Sequence, residues 1–262
     1  MKHFLSLCCI VKNDKYIKEF IIYYIIQGVE KFYIYDNDSR KPLKEYLHEP
    51  IFKKFCKIIN YPGKCVQMNA YNDCITRTKS KSKWLIIIDA DEFILPKKCN
   101  TLRYFLNDYN DFHALGINWI MFGSNNHLKK QEGFLISNYT RCSKKMMMHI
   151  KTVCQPKYVI NVPNPHYVNL EDETKYVDPD KNIISGPFNK LGNNKLIQIN
   201  HYWGKSLEEY LKKIKRGNPD SLRKRKIIPN YIELNNEKKD KTIKKKYIHH
   251  MIRIFNENNI DY

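Results

Sequence analysis

The chain has 262 residues, enough for one large domain with its own buried core, so it needs no disulfide staple. Its 46 basic against 27 acidic residues give a formal charge of +19, which draws phosphate-bearing partners: nucleotide, nucleic acid or anionic lipid. No apolar run reaches the length of a membrane span, and none of the eight cysteines forms a C-x-x-C pair, which argues against a transmembrane segment and a structural zinc site.

The richness in Lys, Asn, Ile and Tyr matches AT-rich coding, as in an AT-rich microbe or a large virus. Part of the charge is therefore read as a solvated face. Reduced thiols and the lack of a cleavage-site pattern after Phe4–Val11 lead to the expectation of a cytoplasmic protein.

In chain order, residues 4–11 predict a buried first strand. Asn13 or Asp14 can cap a helix whose apolar face carries Ile17, Ile21 and Tyr24, with Gly28 as its stop. Phe32–Tyr35 predicts the second strand and Phe55–Ile59 the third, before a turn at Tyr61-Pro62-Gly63. Val66, Ala70, Tyr71, Cys74 and Ile75 follow at helical spacing. Trp84–Ile88 is the fourth strand. The alternation of strand and helix predicts a parallel, three-layer α/β sheet. Further on, His113–Phe122 and residues 150–160 read as strands, and residues 161–195 mostly as loop. Leu196–Asn200 reads as a short strand ending near His201. Ser206 and Glu209 make a capping box for a helix that Gly217 ends. Two units are expected: a domain over 1–220 and a basic, helical extension over 221–262.

The fourth strand ends in Asp89-Ala90-Asp91-Glu92. Carboxylates at the carboxyl end of a buried parallel strand sit where open α/β sheets bind ligands. One of Asp89 and Asp91 can coordinate Mn²⁺ or Mg²⁺ while the other orients a ribose hydroxyl or a bound water. Asp36, Asn37 and Asp38 follow the second strand and can meet a nucleobase or ribose. The alternative for them is an Asx-turn that closes the loop. His201 can complete a mixed oxygen and nitrogen site, and Lys205 can meet phosphate oxygens.

Several strings stand in a telling order: Ile10-Val-Lys-Asn-Asp14, Tyr33-Ile-Tyr-Asp-Asn-Asp-Ser39, Gln67 with Ala70-Tyr-Asn-Asp-Cys74, and Trp84 through Asp89-Ala-Asp-Glu-Phe93. Trp119 with Phe122-Gly-Ser124, Lys151 before Pro156, Asn200-His-Tyr202, Lys205-Ser206 and Arg216-Gly217 continue it. The set resembles the family 2/family 92-type glycosyltransferases. The resemblance implies a GT-A fold, a nucleotide-diphospho-sugar donor (UDP-sugar favoured), a divalent metal and inversion at the anomeric carbon. It places nucleotide-sugar contacts at Lys12, Asn13, Asp14, Asp36, Asn37, Asp38, Asn72, Asp89 and Lys205. It places the metal at Asp89, Asp91 and His201. The acceptor would be a glycan, protein or lipid, with peripheral contact to an anionic membrane possible for a chain this basic. Inverting transfer needs a base for the acceptor hydroxyl. Glu132 is the candidate, with Glu171, Asp172 and Glu173 in reserve.

Two other classes compete. A phosphatase of the haloacid-dehalogenase type also sets D-x-D after a buried strand, but a small or β-branched residue usually stands where this chain has Phe93. A nucleic-acid-binding protein would use the runs Arg223–Lys226 and Lys244–Lys246 on phosphates, though no helix-turn-helix, zinc or RNP pattern accompanies them.

Overall fold

The computed structural model describes residues 2–218 and 224–261. Strands β1 (His3–Val11), β2 (Lys31–Asp36), β3 (Cys56–Asn60) and β4 (Ser82–Ile87) are the four expected apolar runs. Helices α1 (Ile17–Ile26), α2 (Leu43–Tyr46), α3 (Pro50–Phe55) and α4 (Gln67–Thr78) lie between them. β5 (Glu92–Pro96), α5 (Leu102–Phe105), β6 (Ala114–Met121), α6 (Leu135–Asn138), β7 (Arg141–Cys142) and β8 (Ile150–Cys154) follow. The chain continues with β9 (Val159–Asn164), β10 (Tyr167–Leu170), β11 (Tyr176–Val177), β12 (Ile197–His201) and α7 (Leu207–Arg216). It closes with β13 (Lys238–Lys239) and α8 (Thr242–Glu257).

The central sheet runs β3-β2-β1-β4-β8-β6-β12-β5, with β11 beside β6. β1 pairs in parallel with β2 and β4, and β2 with β3. β8 is inserted antiparallel between β4 and β6, which leaves β6 and β12 pointing the same way as β1. The expected three-layer α/β fold, with a mostly parallel sheet, is therefore present.

Side chains alternate across the sheet and fill two cores. Leu5, Leu7, Cys9, Trp84 and Ile86 face one side, with α1 and α8. Cys8, Tyr33, Tyr35, Leu85 and Ile87 face the other, with α4 and the β9–β10 hairpin. Burial on both faces is why these strands carry no polar alternation.

Three expectations need correction. Helix α1 begins after Tyr16, and Asp14 accepts from the Tyr16 main-chain N–H at 2.7 Å in the turn before it. The 161–195 stretch is not mostly loop at its start, because β10 folds back on β9 despite the nearby prolines. Glu92 does not belong to the end of the fourth strand; it opens β5, which runs antiparallel to β12 at the sheet edge. In the 221–262 segment, α8 buries Tyr247, Met251 and Phe255 in the same core as α1, and the Tyr23 and Tyr247 rings meet edge-on at 5.3 Å.

The capping box at α7 forms as expected: Ser206 Oγ accepts from the Glu209 N–H, and Glu209 Oε2 takes the Ser206 N–H and Oγ. Tyr139 braces it by donating its hydroxyl to Glu209 Oε2 at 2.9 Å. Ser206→Ala is expected to cost about 1–2 kcal/mol. In urea this would appear as a lower midpoint at unchanged slope. An unmoved midpoint would show that the box contributes nothing.

Candidate active site

Strands β1, β2, β4, β6 and β12 all end at one edge of the sheet, and the acidic residues gather there. The chain crosses from β4 to β5 through Asp89, Ala90 and Asp91. Glu92 is fully buried, and its Oε2 accepts from the Asp89 main-chain N–H at 2.9 Å, which fixes the turn. The β5–β12 register sets His201 directly opposite Glu92. His201 Nε2 then stands 3.5 Å from Asp91 Oδ1, and its Nδ1 stands 3.8 Å from Glu92 Oε1.

Two lysines offset this negative charge. Lys151, on β8 and 1 % exposed, donates to Asp89 Oδ2 at 2.8 Å and lies 3.6 Å from Glu92 Oε2. Lys213, on α7, donates to Asp91 Oδ2 and to the Trp203 carbonyl, both at 2.6 Å. Gln67 and Tyr71, on α4, both donate to Asp89 Oδ1 at 3.0 Å.

The charges follow from this arrangement. Burial pushes Asp89 and Asp91 up, but Lys151 on the first and Lys213 with His201 on the second outweigh it, so both aspartates stay below the usual range. Burial wins at Glu92, which is pushed well above its usual value. Burial also lowers His201, so its imidazole is neutral and can act as a ligand.

Two cavities open on this edge and share Lys12, Asp14, Asp91, Trp203 and Lys213. The first, of about 1040 Å³, is also bordered by Asn13, Asp38, Glu132 and Lys205. The second, of about 850 Å³, is bordered by Asn37, Gln67, Asp89 and His201, and ends at Trp119, His149 and His166. Lys205 adopts a left-handed backbone (φ +62°), uncommon for a lysine, and holds its ammonium 5.3 Å above the Tyr16 ring.

The structure brings most of the expected residues together and sets two aside. Asp36 spends its carboxylate on the Ser39 and Leu43 main-chain N–H groups, which is the turn-closing role. Asn72 donates to the carbonyls of Met68 and Val162 and accepts from the Val162 N–H, so it ties β9 to α4 and does not face the cavities. Of the reserve acids, Glu171 and Glu173 lie at the opposite end of the sheet, beside the start of β6: the Glu171 N–H bonds the Tyr158 carbonyl, and the turn holding Glu173 leads into β11, paired to Ala114. Asp172 caps that same turn. Glu132 is exposed, and its carbonyl accepts from Asn138 Nδ2. Lys244 and Lys246 point inward and bond the carbonyls of Ser137 and Pro96, so that run is no free phosphate-binding strip; Arg223 lies outside the described residues.

The residues at this edge fit a divalent metal in their chemistry more than in their present geometry. Among the described residues no three His, Cys, Asp or Glu side chains converge as a ready cage, because the lysines hold the aspartates. The donor set of two carboxylates and a neutral imidazole nonetheless suits Mn²⁺. Glu92 behind His201 Nδ1 is the kind of carboxyl that orients a ligating histidine, and both of those atoms are buried without a hydrogen-bond partner.

His166 offers a pH test of the cavity wall. Burial, aided by Lys151, lowers it from 6.5 to about 4. A histidine kept neutral in the fold contributes stability that is whole above pH 6.5 and is lost as pH falls toward 4. The loss is expected to be on the order of 2–3 kcal/mol. His166→Gln should flatten that acid limb, and a variant with an undiminished limb would contradict the assignment.

A family model, glycosyltransferase family 92, matches residues 5–171. A glycosyltransferase family 92 protein of Ricinus communis is 27 % identical over 192 residues, covering 70 % of this chain and 34 % of its own length. One of Oryza sativa subsp. japonica is 26 % identical over 210 residues, covering 76 % of this chain and 33 % of its own length. The chain thus spans about a third of the curated relatives it matches. Among solved structures, HddC from Yersinia pseudotuberculosis aligns with a TM-score of 0.42 at 9 % identity, over 66 % of this chain and 89 % of that one. Among the described residues no helix is long and apolar enough to cross a membrane.

Proposed function

We propose that this chain, which belongs to glycosyltransferase family 92, moves a sugar from a nucleotide-diphospho-sugar to an acceptor hydroxyl with a divalent cation and inversion at the anomeric carbon. Membership of that family supports a glycosyltransferase over the phosphatase and nucleic-acid readings. The observation that carries the finer reading is the placing of Asp89, Asp91 and His201 on one cavity edge, with Asp91 and His201 3.5 Å apart.

Asp89, Asp91 and His201 would hold Mn²⁺, or Mg²⁺, in this reading. When bound, such an ion neutralises the charge that builds on a departing diphosphate. The chain's own residues do the rest. Lys12 and Asn37, at the ends of β1 and β2, border the part of the second cavity that a nucleotide would fill. Lys205, Lys213 and Arg216 line the first cavity and supply positive charge for phosphate oxygens. Lys213, which donates to Asp91 Oδ2 at 2.6 Å, would be free to meet a phosphate were Asp91 to serve as a metal ligand. Trp119 and Trp203 border the second cavity and keep part of it apolar.

A UDP-sugar is favoured as donor, and the acceptor is a glycan, protein or lipid hydroxyl. A melting-temperature panel of UDP, GDP and their sugars, with and without Mn²⁺, tests the reading. Binding at a hundred times Kd adds about 2.7 kcal/mol, or roughly 5–10 °C for a chain of this size. The largest rise is expected with a UDP-sugar and Mn²⁺ together. A flat panel would remove the donor from the proposal.

A further inference from the structure

The far wall of the second cavity is made by Trp119 on β6, His149 just before β8, and His166 in the two-residue tip of the β9–β10 hairpin. The Trp119 and His149 rings stack, 5.2 Å apart and 12° from parallel. The His166 ring stands edge-on to the indole at 5.0 Å and 70°. Trp119 Nε1 and His149 Nδ1 are buried and have no hydrogen-bond partner. Buried polar atoms left unanswered are costly and call for an explanation. A pyranose supplies one, since its carbon–hydrogen face suits an aromatic surface and its hydroxyls answer the orphaned nitrogens.

His166 is held differently. Its main-chain N–H donates to Asn164 Oδ1 at 2.9 Å, and its carbonyl accepts from Thr152 Oγ1 at 3.1 Å. Its Nδ1 lies 3.1 Å from the Ile150 carbonyl. A carbonyl can only accept, so Nδ1 carries the proton and Nε2 carries the lone pair. Nε2 makes no hydrogen bond among the described residues, and the ring borders the cavity that Asp89 and His201 also border.

We propose that His166 Nε2 is the base that deprotonates the attacking hydroxyl, on a sugar platform formed by Trp119 and His149. This deepens the donor reading above and rests on it. The hydroxyl proton passes to Nε2, and the oxygen's electron pair forms the new bond to the anomeric carbon. The bond from that carbon to the diphosphate oxygen breaks, and its pair leaves on the nucleoside diphosphate. The imidazolium then returns its proton to water. Glu132, the acid expected for this step from the sequence, lies exposed on the other cavity.

The experiment uses the full chain with Mn²⁺ and four probes: UDP-glucose, UDP-galactose and their N-acetylamino forms. Water is the acceptor, and released UDP is the readout. His166→Ala is expected to slow UDP release by at least about a hundredfold while the melting shift given by the same UDP-sugar persists. Added imidazole should restore the rate, and so should azide, which attacks with no proton to lose. Release by His166→Ala at the unaltered rate would overturn the assignment. So would a slow variant that keeps the donor shift but ignores both imidazole and azide, or loss of release in Glu132→Gln alone. If His166→Ala does not fold, His166→Asn keeps a donor toward the Ile150 carbonyl and is read with azide against the same outcomes. No melting shift and no release by the unaltered protein would overturn the donor reading and this assignment together. A retained shift with full-rate His166→Ala overturns His166 alone.

Discussion

Lys151→Met is expected to lower folding stability by about 3 kcal/mol, at the low end of the range for breaking a buried ion pair. The ammonium is almost wholly enclosed, 2.8 Å from Asp89 and 3.6 Å from Glu92. Burial pulls Lys151 down, yet the two acids outweigh it and hold the amine above its usual value. Without it, Glu92 simply stays protonated, since burial already pushes it well up. Asp89 is the loser: it keeps Gln67 and Tyr71 on one oxygen but loses the charge facing the other. Its side chain is a third exposed, and that softens the loss. Adding Glu92→Gln to Lys151→Met should change stability little further, because that carboxyl is already uncharged and the amide oxygen can still accept from the Asp89 N–H. Urea unfolding of the two single variants and the double variant measures the coupling. A loss under about 1 kcal/mol would reduce the pair to the worth of a surface bridge.

Asp91→Asn is expected to cut turnover by about 10²–10³-fold and to remove the effect of Mn²⁺ on nucleotide affinity. Asparagine keeps the shape but discards the charge that faces His201 at 3.5 Å and Lys213 at 2.6 Å. Burial lowers Lys213, with Asp91 the largest pull in the other direction, so the amide also leaves that amine less supported. Calorimetric titration of UDP with and without Mn²⁺ separates the two effects. Affinity that still rises with Mn²⁺ in Asp91→Asn would place the ion elsewhere.

The parallel half of the sheet was legible because burial on both faces leaves a plain mark: Leu5 to Val11 and Trp84 to Ile88 contain hardly a polar residue. The acids after β4 were legible for the same reason, as a sharp break in such a run. β5 was not, since it opens on an acid, and nothing local says that Glu92 is enclosed. β10 hid among Pro163, Pro165 and several asparagines, in a stretch whose composition suits a loop. Lys151 and Lys213 went unassigned a role because 46 basic residues make any one of them unremarkable as a counter-charge. Asp36 and Asn72 looked like ligand contacts because sequence shows that a side chain can hydrogen-bond and not with what. Trp119 stood out as part of a string, but its pairing with His149 and His166 exists only once β8 is threaded beside β6.

The packing of α8 on α1 carries a consequence for how the molecule is made. These helices are nearly a whole domain apart in sequence, yet Tyr247, Met251 and Phe255 complete the layer that α1 begins. The side of α1 that meets Tyr247 therefore has no cover of its own until α8 is made. Contacts so distant along the chain form slowly, and that interval is when the nascent protein most needs a chaperone.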